Sequence, residues 1–123
     1  MKKFRIAVAT KGNDGLEDLV STVFGRAKTF TIVDVEDEKI KRDTIMENPG
    51  VSYQYGVGPI VAKMLVDNCV NMVIAYELGN GAEGLLKQHK IAHISFKPNI
   101  KVKTAIREVI QKHKIPFQNT QEA

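Results

Sequence analysis

Val70–Leu86, VNMVIAYELGNGAEGLL, passes from a strand pattern through a glycine loop into a helix pattern. Asn71–Tyr76 (NMVIAY) is an apolar run of strand length. Asn80, with Glu83 three residues later, makes a capping-box-like helix start, and Ala82, Leu85, Leu86 and His89 then share one face. Between the two lies the glycine loop Glu77-Leu78-Gly79-Asn80-Gly81. A strand that feeds a helix through such a loop is half of a parallel crossover, because parallel neighbours need a long connection. The spacing therefore predicts a central strand over 71–76 with helices before and after it.

The flanking sequence repeats the alternation. Gly58-Pro59 starts a helix, since proline fits a first turn whose N–H groups lack partners. Ile60, Val61, Met64 and Leu65 continue it as a stripe. Ile91–Phe96 (IAHISF) reads as a strand. Val102, Ala105, Ile106, Val109 and Ile110 give a last helix over about 102–113. The N-terminal half reads differently. Phe4–Thr10 (FRIAVAT) is a buried strand that runs into the loop Lys11–Gly15, and residues 16–22 are expected to make a short helical turn. Thr29–Val35 and Ile40–Met46 flank the polar turn Glu36-Asp37-Glu38, the pattern of an antiparallel hairpin whose polar strand, 39–47, sits at a sheet edge. The order β-β-β-α-β-α-β-α predicts an α/β fold: a three-layer α/β/α arrangement around a mixed five-stranded sheet, close to a ribonuclease H-like topology. Residues 1–115 are expected to form a single domain and 116–123 a frayed tail.

Composition narrows the function classes. The chain has 123 residues, 43% hydrophobic and 26% charged, which suits one globular domain with its own core. The single cysteine, Cys69, excludes a disulfide framework within the chain and a cysteine-based zinc site. No apolar run approaches the ~20 residues of a membrane span. Met1-Lys2-Lys3-Phe4 leads directly into a strand without a signal-peptide pattern, so a cytoplasmic location is expected. The net charge of +4 is uneven: Lys87–Lys114 holds eight basic residues and one acid, Glu108, leaving −3 on the rest. Such a segment can meet nucleic acid, but its lysines are not interleaved with aromatic residues, which argues against single-strand recognition.

In open α/β sheets ligands bind beyond the carboxyl ends of the parallel strands. Three segments are expected to converge there: Lys11–Gly15, Asn48-Pro49-Gly50 through Tyr55-Gly56-Val57-Gly58, and Glu77–Gly81. Their glycines either let backbone N–H groups approach a bound anion or only make tight turns. GVGP is neither a dinucleotide fingerprint nor a P-loop. Asp34 and Glu77 are the only strand-end acids, too few for a two-metal nuclease centre. Cys69 follows the first long helix and is expected as a buried or half-buried thiol at the opposite end of the sheet. His89, expected on the core side of its helix, His93 within a strand and His113 at a helix end lack metal-ligand spacing. No acid–base pair or activated nucleophile is visible, so a non-enzymatic role is expected.

Phe24-Gly25-Arg26-Ala27 followed by Phe30, then Glu47-Asn48-Pro49, Gly56-Val57-Gly58 and VNMVIAYELGNGA, together carry a resemblance. Over about residues 4–110 the chain resembles the dinitrogenase iron–molybdenum cofactor biosynthesis family. The resemblance implies a ribonuclease H-like fold without nuclease activity and the carriage of an iron–sulfur or iron–molybdenum cluster, or another small anionic ligand. Position by position it points to Phe24, Gly25, Arg26, Asn48, Gly56, Gly58, Gly79, Asn80 and Gly81 as cofactor-binding residues. A guanidinium at Arg26 suits an anionic cluster; it equally suits a salt bridge that fixes the loop. Many cluster-binding members have histidine where this chain has Val23 and Tyr55. The partners implied are a metallocluster and a protein of cluster assembly, with the chain as monomer or homodimer. The alternatives are an interaction module that has lost the cluster and nucleic-acid binding through Lys97–Lys114.

Overall fold

The computed structural model describes residues 3–53 and 57–113. Five strands, β1 (Lys3–Thr10), β2 (Thr29–Glu36), β3 (Lys39–Glu47), β4 (Met72–Ala75) and β5 (Ala92–Ser95), form one sheet in the order β3-β2-β1-β4-β5. The three helices are α1 (Val57–Asp67), α2 (Asn80–Gln88) and α3 (Val102–His113). The β1–β2 and β2–β3 pairs are antiparallel, whereas β1–β4 and β4–β5 are parallel. The sheet is mixed, as its sequence pattern predicts, and the order is compatible with a ribonuclease H-like topology. One position differs: β1, not the 71–76 strand, holds the middle. The hairpin adds two strands on one side of β1 and the crossovers add two on the other.

Helices pack on both faces of the sheet, while the edge strand β3 stays largely exposed. Ala7, Ala9, Phe30, Ile32 and Val73 pack with Val61 and Leu65 of α1 and Leu86 of α2. Ile6, Val8, Val33, Val35 and Ile74 pack with Val102, Ile106 and Val109 of α3. Strand alternation thus delivers apolar residues to both layers, which is why β1 reads as a nearly continuous hydrophobic run. Full burial of a side chain such as Leu65 or Ile106 is worth about 1.5–3 kcal/mol.

Local chemistry corrects several boundaries. The helical turn expected over 16–22 is only a 3-10 turn, Gly15–Glu17. The buried carboxylate of Asp18 accepts hydrogen bonds from the N–H groups of Gly12, Asp14 and Leu19, offering the backbone an alternative to helix. Val20 then bridges Thr10, and Leu19 bridges Lys101 ahead of α3. At α2 the N-cap is Gly79, with no side-chain cap, so Asn80 is the first helical residue, one position past the N-cap that a capping box requires. His89 is the exposed C-cap of α2, not a core residue, because the helix ends there and Lys90 turns left-handed at φ 59°. Cys69 is exposed, not buried. It occupies the left-handed turn after α1 (φ 58°), one residue before the chain re-enters the core at Val70.

The amino end of the sheet is tied together by charge. Arg5 Nε donates to Asp34 Oδ1 at 2.7 Å, and its Nη1 donates to the carbonyl of Asn68 at the end of α1, at 2.9 Å. Arg42 reaches the other oxygen of Asp34 at 3.5 Å. The hydrogen bond to Asp34 raises the Arg5 pKa above its ordinary value, against the opposing effect of burial. One carboxylate therefore joins β1, β2 and β3, and one guanidinium caps a helix C-terminus.

Candidate functional site

A cleft of about 760 Å³ opens at the carboxyl end of the parallel strands. Its walls come from three segments: Thr22–Arg26, the first turn of α1 (Val57-Gly58-Pro59), and the β4–α2 connection with the first turns of α2. Its volume is that of a small-molecule site.

The Phe-Gly-Arg wall is held by packing and by one amide. Phe24, 3% exposed, meets Phe30 of β2 edge-on, with ring centroids 5.4 Å apart. Asn48 is buried, and its Nδ2 donates to the carbonyls of Gly25 and Ala27 at 2.8 and 2.9 Å. Its Oδ1 accepts from Gly50 N–H at 2.8 Å. The side chain of Asn48 is therefore engaged in joining the Phe24–Ala27 turn to the Pro49–Ser52 turn before α1. It is not among the residues lining the cleft, and the structure gives it a positioning role.

The opposite wall is less constrained. Gly79 and Gly81 bracket the start of α2, and Glu77 and Leu78 precede them on the lining. Most side chains facing the cleft are apolar: Val23, Phe24, Val57, Leu78, Ala82 and Leu85. Among the described residues the charged ones are Arg26 and Glu77, both exposed, so these lining side chains contribute no net charge. Any attraction for an anion rests on where Arg26 sits and on the N–H groups that open α1 and α2.

Of the sequence-derived candidates, Phe24, Gly25, Arg26, Gly58, Gly79 and Gly81 line this one cleft. Asn80 opens α2 beside them. Gly56 and Tyr55 lie outside the described residues. The Lys11–Gly15 loop does not line the cleft, because Asp18 and the pairing of Val20 with Thr10 hold it elsewhere. Sequence reasoning missed Thr22, Pro59 and Leu85 as lining residues. Their one available signal was adjacency to the Phe-Gly-Arg and helix-start motifs.

Among the described residues no cysteine or histidine lines the cleft, and no group of three or more His, Cys, Asp or Glu could hold a metal ion. Cys69 lines a cavity at the amino end with Arg5 and Asp34. His93 sits in β5 with Nε2 3.4 Å from the carbonyl of Ala75. The described residues therefore do not supply the thiolate or imidazole set that ligates an iron–sulfur cluster directly. In the basic C-terminal segment, Lys101 and Lys103 both pair with Glu17, at 2.9 and 2.6 Å. That pairing diminishes the positive face available to a phosphate backbone. No helix among the described residues is long and apolar enough to cross a membrane.

Fold and cleft define a class: small mixed-sheet α/β proteins whose crevice is built from a Phe-Gly-Arg turn and two helix starts. Within it, the chain belongs to the dinitrogenase iron-molybdenum cofactor family, whose profile matches residues 2–112. Over 69 residues, 56% of this chain, it is 35% identical to the protein MJ0580 of Methanocaldococcus jannaschii, and the match spans 58% of that relative's length. Among solved structures it is similar to TM1290 of Thermotoga, a protein of the DUF35 family, with TM-score 0.72 and 30% identity over 90% of each chain. It shares its fold with the apo form of the orange protein from Desulfovibrio gigas, with TM-score 0.78 and 24% identity over 87% of each chain.

Proposed function

We propose that the protein holds an anionic metal–sulfur cluster, or a precursor of one, as cargo in this cleft, and performs no chemical step on it. Family membership supports the class of cargo. The observation that carries the mode of binding is the cleft lining: apolar walls, the Arg26 guanidinium with Glu77 on the opposite wall, and two helix starts, with no soft ligand among the described residues. A cluster whose surface is polarizable sulfide spreads its charge and suits apolar walls better than a compact, strongly hydrated anion does. Arg26 would supply a charge-assisted contact, and the N–H groups at Gly58, Gly79 and Gly81 would supply neutral ones. Without a protein–metal bond such a cargo exchanges readily, which suits delivery to a second protein.

Anaerobic mixing with iron–molybdenum cofactor or a synthetic iron–sulfur cluster, followed by gel filtration and metal analysis, tests this reading. The expected result is metal co-eluting with the protein. Arg26→Ala should weaken retention about tenfold, the loss of one charge-assisted contact. Elution without metal, or retention unchanged in Arg26→Ala, would overturn it.

A further inference from the structure

A second cavity, of about 660 Å³, lies at the amino end of the sheet, away from the cleft. Lys3 and Arg5 of β1 and Lys41 and Arg42 of β3 line it, with the acids Asp34 and Glu36 of β2. Among the described residues four cations thus face two carboxylates. The excess of positive charge remains once existing bonds are counted: Asp34 is already engaged, its Oδ1 by Arg5 and its Oδ2 by Arg5 and Arg42. Lys3 and Lys41 remain, together with the outward part of Arg42, whose side chain is 70% exposed, against Glu36 alone.

The backbone is built to bring two of these cations together. The β2–β3 pairing steps from Asp34↔Arg42 to Val35↔Ile40, so Lys41 is an extra residue on β3. Regular alternation would send the neighbours Lys41 and Arg42 to opposite faces of the sheet. The bulge instead lets both line one cavity, the re-aiming of a side chain that such irregularities perform.

We propose that this cavity is an anion site, independent of the cleft, that takes a compact phosphate-bearing anion, either a free polyphosphate or the polyphosphate of a nucleotide. Two lysines act as point charges and the Arg42 fork offers paired N–H donors, the combination that phosphate oxygens accept. The volume accommodates a small molecule of that kind.

Cys69 supplies a direct readout. It is the only cysteine in the chain, it is exposed, and it lines this cavity. The full-length protein is alkylated with iodoacetamide in the presence of tripolyphosphate, of adenosine triphosphate, or of citrate as a phosphate-free trianion. Both phosphate compounds should slow alkylation saturably, and citrate should not. Equal half-effect concentrations for the two would assign recognition to the phosphate chain, and a lower one for the nucleotide would assign it to the whole nucleotide. The Lys41→Ala/Arg42→Ala variant should need about tenfold more of either, as expected when charge-assisted contacts are lost. Should that variant fail to fold, Lys41→Glu, at an exposed bulged edge position, carries the same expectation. Arg26→Ala should leave the protection intact, separating this site from the cleft. Absence of protection, equal protection by citrate, or protection undiminished in the Lys41 variants would overturn the proposal.

Discussion

A methyl group added at Gly50 would meet Val57 Cγ1 at 3.0 Å and Val61 Cγ2 at 3.2 Å, and one at Gly25 would meet Val57 Cγ1 at 3.2 Å. At Gly79 or Gly81 it would meet nothing within 4 Å. The two walls of the cleft therefore use glycine for different reasons. In the Phe-Gly-Arg wall and the Gly50 turn tied to it, an added side chain would press on α1, because these turns lie against Val57 and are joined by Asn48. In the α2 wall no protein atom demands glycine: Gly79 lies at φ −72°, ψ 170°, a conformation open to other residues. Glycine there leaves room beside the backbone, as a ligand approaching N–H groups requires. One wall is the frame, and under the proposed function the other is the face offered to cargo.

The largest expected effect breaks the frame. Asn48→Ala removes two donors and one acceptor from a buried site, stranding the carbonyls of Gly25 and Ala27 and the N–H of Gly50. It should cost on the order of 3 kcal/mol, read from denaturant unfolding. Asn48→Asp keeps the shape and the acceptor but loses both donors, and it sets a carboxylate against two carbonyl oxygens. If Asn48→Asp unfolds like wild type, the frame does not depend on this amide. Next comes Gly50→Ala, expected to cost about 1–3 kcal/mol by overpacking against Val57 and Val61. Thermal melts that coincide with wild type would show that α1 yields and that the glycine is not required.

Gly81→Ala sharpens the other side of the comparison. Its added methyl has space, and alanine is the better helix former, so stability should hold or rise by up to about 1 kcal/mol. Cluster retention should fall all the same if the cargo contacts the first turn of α2. Retention equal to wild type would place the cargo elsewhere and remove the contrast between the walls.

How far these features could be read in advance depended on how local their causes are. The strand–loop–helix pattern of 70–86 is written in consecutive residues, and so is the hairpin around Glu36-Asp37-Glu38, so both were legible. The cleft was legible through Phe24-Gly25-Arg26 and Gly79-Asn80-Gly81, which are short motifs carried by resemblance. The work of Asn48 was not, since its partners sit 21 and 23 residues away and emerge only when β2 and β3 pair. The Lys11–Gly15 loop was placed at the cleft because the end of β1 points there. A single carboxylate, Asp18, redirects it by capturing three backbone N–H groups. The amino-end cavity left no sequence signal, because it draws residues from four separate stretches and depends on a one-residue bulge.

That redirected loop supplies the smallest expected effect and a last contrast with the cleft walls. Packing and neutral hydrogen bonds hold the walls, whereas charge links the loop's Glu17 to Lys101 and Lys103 at the start of α3. Hydrogen bonds from Lys103 and then Lys101 lower the Glu17 pKa from its ordinary 4.5 to about 2. A depressed carboxylate stabilises the fold fully above the unfolded-state value and loses that contribution as pH falls toward the folded one. The link should therefore be intact at pH 5 and fade between pH 4.5 and about 2. Glu17 is exposed, so solvent screening keeps the effect small, and added salt should shrink it further. Thermal melts of wild type and Glu17→Gln at low salt isolate it from the other carboxylates: the gap between the two should close as the solution is acidified. A gap that stays constant across that range would mean that Glu17 does not tie the loop to α3 through charge, and the distinction between a packed frame and a charge-held loop would fall with it.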